Sequence, residues 1–163
     1  MNKGLSHQIK WQLSHFSQFT ASQWYQVAAL RMAIFVVEQD CPYQDLDGLD
    51  CHPDTLHLSA WQGDEVVGYL RILPPHTAYP QASIGRVIVA MPARNIGLGH
   101  QLMARGVTAA KAHFNLPFYL SAQTHLQGFY LQHGFQIVGE PYLEDGIPHI
   151  GMMLDSPKNA SAT

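Results

Sequence analysis

The chain has 163 residues, 47% of them hydrophobic and only 13% charged, with a formal net charge of -3. That length suits one domain with one substantial core, and the composition is the reverse of a disordered segment. The charge supplies no basic field for nucleic acid, and no apolar run approaches the roughly 18 residues of a membrane span.

Met1 to Ser14 has polar residues throughout and lacks the apolar stretch of a secretory signal. Gln8 to Leu13 alternates and predicts a first strand. Thr20 or Ser22 can cap a helix running to about Gln39, with Trp24, Val27, Ala28, Ile34 and Phe35 near helical spacing. Cys41 to Thr55, rich in Asp, Pro and Gly, predicts a long connection with room for one helical turn. Leu56 to Trp61 and Val66 to Leu73 read as an antiparallel hairpin turning at Gln62-Gly63-Asp64-Glu65. Pro74 to Gln81 is a loop and Ser83 to Val89 a strongly apolar strand. A glycine turn, Arg94 to Gly99, opens a helix to about His113. Pro117 to Ala122 is a strand and Leu126 to His133 a short helix that Gly134 can cap. Phe135 to Val138 and His149 to Leu154 are the last strands.

The expected order is β-α-loop-β-β-β-α-β-α-β-β. Strands mixed with crossover helices indicate an α/β or α+β domain with a mixed sheet, here over residues 8–156, with a polar tail over 157–163. Two cysteines, Cys41 and Cys51, make no disulfide framework, so a reducing cytoplasm is the expected setting.

The glycine turn carries the first chemical signal. Ile84 to Val89 leads through Ala90-Met91-Pro92-Ala93 into Arg94-Asn95-Ile96-Gly97-Leu98-Gly99. A helix N-terminus leaves about four N–H groups unpaired, and its dipole favours an anion. Gly97 and Gly99 let a pyrophosphate approach the backbone, and Arg94 can add a charge-assisted hydrogen bond. Alone, the turn fits either an anion site or glycine used for packing. A strand before it and a helix after it favour the anion site. It lacks the Gly-Lys-Ser/Thr ending of a Walker loop and the full G-x-G-x-x-G of a dinucleotide fingerprint.

R-x-x-G-x-G after an apolar strand resembles motif A of the GNAT superfamily of N-acetyltransferases. The resemblance implies a GNAT acyl-CoA N-acyltransferase fold and acetyl-CoA as co-substrate. Arg94, Asn95, Gly97 and Gly99 would form the pyrophosphate loop, and Val87, Ile88 and Val89 would line the pantetheine arm. Proline stands two residues before the arginine, at Pro92, where family members often have it three before. Leu126-Gln127-Gly128-Phe129-Tyr130-Leu131-Gln132-His133-Gly134-Phe135 resembles the family's F-Y-x-x-x-G-F element. By that resemblance Tyr130 would protonate the departing thiolate. Read without it, Phe129 and Tyr130 are core aromatics.

Two further stretches, Phe35-Val36-Val37-Glu38-Gln39 to Asp45 and Glu144-Asp145-Gly146-Ile147-Pro148-His149-Ile150-Gly151-Met152, are similar to the ElaA-like branch. Glu38, at the end of the first helix, would lie near the acceptor groove. It is a candidate amine ligand or general base, and equally a solvated carboxylate. His57, His125, Asp45 and Asp47 are further candidates, because an acceptor amine must lose a proton. Arg71 can face solvent, pair with Glu38 or meet an acidic part of the acceptor. The acidic run Asp45 to Asp50 hints at a cationic acceptor. Its spacing departs from a calcium loop, and Cys41, Cys51, His52 and His57 do not complete a zinc set, so no metal is expected.

The leading expectation is direct acetyl transfer to an amine: a small molecule, an antibiotic, a peptide N-terminus or a lysine. The family resemblance also allows a homodimer. Arg31 to Phe35 and Gly68 to Pro74 resemble segments of acyl-homoserine-lactone synthases, the alternative enzyme class. A non-catalytic coenzyme-binding module is the other alternative.

Overall fold

The computed structural model describes residues 8–157. The first seven residues, and all but the first residue of the expected tail, lie outside them. Seven strands form one sheet: β1 (Lys10–Ser14), β2 (Leu56–Gln62), β3 (Glu65–Leu73), β4 (Ala82–Val89), β5 (Phe118–Gln123), β6 (Gln136–Glu144) and β7 (Ile147–Leu154). Their order across the sheet is β1-β2-β3-β4-β5-β7-β6. Only the β4–β5 contact is parallel, so the sheet is mixed, as expected.

Helix α1 (Ala21–Met32) starts on a reciprocal cap. The Gln23 amide N–H donates to Thr20 Oγ1 at 3.1 Å, and the Thr20 N–H donates to Gln23 Oε1 at 3.0 Å. Two otherwise orphaned donors are thus satisfied, which selects Thr20 over Ser22. The sequence predicts a plain helix to Gln39. The structure instead widens into a π-helical segment at Ala33–Glu38, a local geometry common at functional sites.

Alternation along β3 sends Leu70 and Ile72 to one face and Tyr69 and Arg71 to the other. Leu70 and Ile72 join Leu102 and Met103 of α2 (Leu98–His113), with Phe118, Phe135 and Met152, in the larger core. A Cβ at Gly106 would stand 2.6 Å from Leu70 Cδ2, so α2 sits close to the sheet only because that position is glycine. On the opposite face, Val27 and Ile34 pack on Trp61, Tyr69 and Ile88.

The sequence predicts a strand from Phe135 to Val138 here. The strand runs on to Glu144. It lies at the sheet edge, where a proline needs no ladder partner on its outer side. A register irregularity between Val138 and Tyr142 absorbs Gly139, at φ 75°. The helix expected over Leu126 to His133 is a short turn, Thr124–Leu126, followed by α3 (Gln127–Leu131), and Gly134 adopts φ 89° after it.

Candidate active site

β4 and β5 touch at two register pairs only, Ala82↔Phe118 and Ser83↔Tyr119. Beyond them the strands diverge, and the β5-facing backbone of Ile84 to Val89 has no strand partner. The register of β4 against β3 slips by one residue near Arg86, which stands at φ 52°. Such a bulge re-aims backbone groups that would otherwise enter the ladder.

A cleft of about 810 Å³ fills the gap. Val87, Ile88 and Val89 form one wall, Leu120, Ser121 and Gln123 of β5 the other, and Tyr130 closes one side. Tyr130 is 7% exposed. Burial alone pushes its hydroxyl up to about 12, and no other described side chain hydrogen-bonds it.

After β4, a short turn at Met91–Ala93, carrying Pro92, redirects the chain. Asn95 at φ 66° and Gly97 at φ 79° then coil it into the start of α2. The helix has no side-chain cap and no acidic residue in its first turn. Its leading N–H groups are therefore open to an external acceptor. A Cβ at Gly97 would meet nothing within 4 Å, and one at Gly99 would make ordinary contacts with Phe129 and Val89. Free space at this helix end lies at Gly97.

Arg94 lies at the mouth. Its Nε donates to the Val89 carbonyl at 3.0 Å, and its two terminal nitrogens donate to the two oxygens of Glu38 at 2.7 and 2.8 Å. Those hydrogen bonds hold the Glu38 carboxyl below its usual range, which weakens it as a base. Glu38 is therefore placed on the arginine of the glycine turn.

Three contacts from successive parts of one segment cross the cleft. Glu38 meets Arg94. The Gln123 amide donates to Gln39 Oε1 at 3.1 Å, and the Cys41 thiol donates to the Asp145 carbonyl at 3.5 Å.

The carboxylates of the acidic loop are engaged in ion pairs within the chain. Arg31 donates to Asp45 at 3.0 Å and to Asp50 at 2.6 Å, fully buried. Arg71 binds both oxygens of Asp47 at 2.8 and 2.9 Å and reaches Asp50 at 3.0 Å. Arg86 Nε lies 2.9 Å from Asp45, out of line for a hydrogen bond, and Nη2 is 3.4 Å from Asp47. Burial resists the charge on Asp47, but Arg71 outweighs it and holds the carboxyl at about 2. Arg71 thus neither faces solvent nor pairs with Glu38. Asp45, Asp47 and Asp50 pin the loop to α1, β3 and β4.

His57 is structural too. Nε2 donates to the Asp50 carbonyl at 3.0 Å, and the Tyr69 hydroxyl is 2.6 Å from Nδ1. Burial lowers its pKa to about 4. His125 does line the cleft. Among the described residues no three His, Cys, Asp or Glu side chains form a metal-binding group.

Residues 20–156 match the family model described as an acetyltransferase (GNAT) domain. The chain belongs to the GNAT acetyltransferase family. This GNAT chain is 48% identical to ElaA of Escherichia coli over 145 residues, 88% of this chain and 95% of that protein. The crystal structure of E. coli ElaA superimposes with a TM-score of 0.86 at 46% identity, covering 91% of this chain and all of that one. A structure described as an acyl-CoA N-acyltransferase from Pseudomonas aeruginosa matches with a TM-score of 0.85 at 48% identity, covering 90% and 99%. The acyl-homoserine-lactone synthase LasI matches at 12% identity and a TM-score of 0.73, covering 91% and 90%; it shares the fold alone.

The GNAT cleft thus gathers Glu38, Val87, Ile88, Val89, Arg94 and Tyr130, while Asn95, Gly97 and Gly99 shape the adjoining helix start. Sequence reasoning missed Arg86, Gln39 and the β6–β7 turn as parts of the cleft. Glu144 and Asp145 were visible as part of a family signature, but not as cleft residues. Among the described residues no helix is long and apolar enough to cross a membrane.

Proposed function

We propose that this chain is an acetyl-CoA-dependent N-acetyltransferase that passes the acetyl group directly to an amine. The observation that carries the reading is the parting of β4 and β5 after two rungs, which opens a ligand-sized cleft beside an uncapped helix N-terminus.

The residues fit the coenzyme. The first N–H groups of α2, the space at Gly97 and the Arg94 guanidinium suit a pyrophosphate. The unpaired edge formed by Val87, Ile88 and Val89 suits an amide-bearing arm such as pantetheine. Acetyl-CoA would supply an acetyl group activated as a thioester. The amine nitrogen gains the acetyl group, the carbon–sulfur bond breaks, and one proton passes from nitrogen to sulfur overall.

Backbone N–H groups near Val89 polarise the acetyl carbonyl. Tyr130 donates to the departing sulfur. A phenol at about 12 facing a thiol of about 8.5 makes full transfer uphill by ~5 kcal/mol. Tyr130 therefore passes its proton to sulfur only as the amine's proton reaches the phenol oxygen, so that no free phenolate forms. Two free cysteines suit a cytoplasmic setting.

Calorimetric titration with acetyl-CoA tests the reading, comparing the parent with Arg94→Ala and Gly97→Asp. Micromolar binding, about -8 kcal/mol, that collapses in both variants supports the coenzyme site. No heat and no thermal shift in the parent sinks it.

A further inference from the structure

We infer that Arg86 is a positioning residue: gripped by the 43–47 loop, it holds the β4 bulge so that the Val89 N–H faces the acetyl carbonyl. This inference rests on the transferase reading above. It starts from a local conflict in β4. Among the described residues five non-glycines stand at positive φ: Asp40, His76, Arg86, Asn95 and Asp145. Four of them lie in turns, and Arg86 alone lies inside a strand. The left-handed region crowds an L side chain, and asparagine and aspartate relieve this locally in a way arginine cannot. Glycine is the usual residue for that conformation in a bulge. Here Gly85 stands next to the position and is not the residue that takes it.

Contacts of the side chain offset the conflict. Arg86 Nη2 donates to the Asp45 carbonyl at 3.1 Å and reaches Asp47 at 3.4 Å. Nε lies 2.9 Å from Asp45 Oδ1, and the guanidinium sits 5.7 Å from the centre of the Tyr43 ring. The Tyr43 hydroxyl donates to Asp45 Oδ1 at 2.7 Å. Buried Arg31 holds the same aspartate, donating to Oδ2 at 3.0 Å and to the backbone carbonyl at 2.9 Å. A loop fixed from the interior thus grips the side chain of the one strained residue in β4.

The bulge sets the direction of the amides that follow it. Tyr69 faces Ile88 and Arg71 faces Gly85, so three steps along β4 match two along β3. The extra residue exchanges the amides that face β3 for those that face the cleft. The Ala90 N–H donates to the Val67 carbonyl at 2.8 Å, so alternation turns the Val89 N–H and carbonyl away from β3. Arg94 Nε binds that carbonyl from the cleft mouth, as the alternation requires. The Val89 N–H therefore opens on the gap between β4 and β5. If Arg86 relaxed to negative φ, the slip would lose its support and the amide its aim.

The test is infrared spectroscopy of bound acetyl-CoA, isotope-labelled at the acetyl carbonyl, which needs no acceptor. A hydrogen bond lowers the stretching frequency of the thioester carbonyl. Arg86→Gly, Arg86→Asn and Arg86→Ala all delete the guanidinium but differ in their tolerance of positive φ. The parent should lower the frequency relative to free acetyl-CoA. Arg86→Gly should keep roughly half of that shift, since glycine takes either sign of φ about equally. Arg86→Ala should lose roughly nine-tenths of it, because its side chain disfavours the left-handed region about tenfold, and Arg86→Asn should fall between. Any two variants that fold give the order. Calorimetry with free CoA, which has no acetyl group, should show unchanged affinity in all three. Equal loss of the shift in the variants, or a full shift in Arg86→Ala, overturns the inference. So does a parent carbonyl that does not shift, or a joint loss of CoA affinity, which would make Arg86 a support of the whole cleft. Absence of acetyl-CoA binding in the parent instead brings down the transferase reading.

Discussion

Arg94 and Glu38 face each other fork to fork, with N···O distances of 2.7 and 2.8 Å, across the mouth of the cleft. The face of the guanidinium that would grip a phosphate is occupied by a carboxylate of the same chain. The Nε bond to the Val89 carbonyl leaves the arginine anchored if that carboxylate departs. Glu38→Gln should therefore tighten acetyl-CoA binding by roughly two- to fivefold, the scale of an exposed ion pair. Calorimetry reads this directly. Weaker binding in the variant would mean that Glu38 orients Arg94 rather than competing for it.

Tyr130→Phe removes one buried hydroxyl that has no side-chain partner among the described residues and keeps the ring packed on Phe129 and Phe135. Turnover should fall on the order of 100-fold, the low end for a lost acid–base group. The dissociation constant for acetyl-CoA should hardly change. Steady-state kinetics on an accepted amine, paired with calorimetry, separates the two. Unchanged turnover would assign the sulfur's proton to solvent.

Arg31 is wholly buried between Asp45 and Asp50. Methionine there would strand two carboxylates in the interior, and breaking a buried pair costs about 3–5 kcal/mol. Urea unfolding of Arg31→Met should show a loss of that size. A loss under about 1 kcal/mol would mean that water replaces the guanidinium.

His57 predicts a stability slope on the acid side. Its folded pKa is about 4, against 6.5 for the unperturbed ring. Above pH 6.5 the ring is neutral in both states and folding is unaffected. As pH falls from 6.5 toward 4, the unfolded chain binds a proton that the folded site refuses, so stability drops by roughly 3 kcal/mol. Protonation would also remove the acceptor at Nδ1 that faces the Tyr69 hydroxyl. Denaturant unfolding at a series of pH values should show this slope in the parent and not in His57→Gln. The loss tied to Asp47 lies lower, between 3.8 and about 2.

The glycine turn and the tyrosine helix were legible because each is local. The helix start at Gly97 and the short helix carrying Tyr130 are each encoded within a few residues of chain. The pairing of Arg94 with Glu38 was not legible, since it joins positions 56 residues apart. Arg71 was misjudged for the same reason: its partner Asp47 lies on a loop whose path only the folded sheet determines. The π-helical segment at Ala33–Glu38 carries no propensity signal, because it differs from α-helix in hydrogen-bond offset rather than composition. The far part of β6 was missed because the breaking tendency of Gly139 and Pro141 loses its force at an edge.

The two shared rungs between β4 and β5 make the sheet two leaves on a short hinge, four strands on one side and three on the other. Amides of β4 that point into the gap exchange with solvent through an open edge, whereas those pointing toward β3 are tied into a ladder. A molecule lodged between the leaves would fill the place of the missing rungs. Hydrogen exchange along Ile84 to Val89 would then slow at alternate positions only. That two-residue rhythm reports occupancy of the cleft before any acceptor is known.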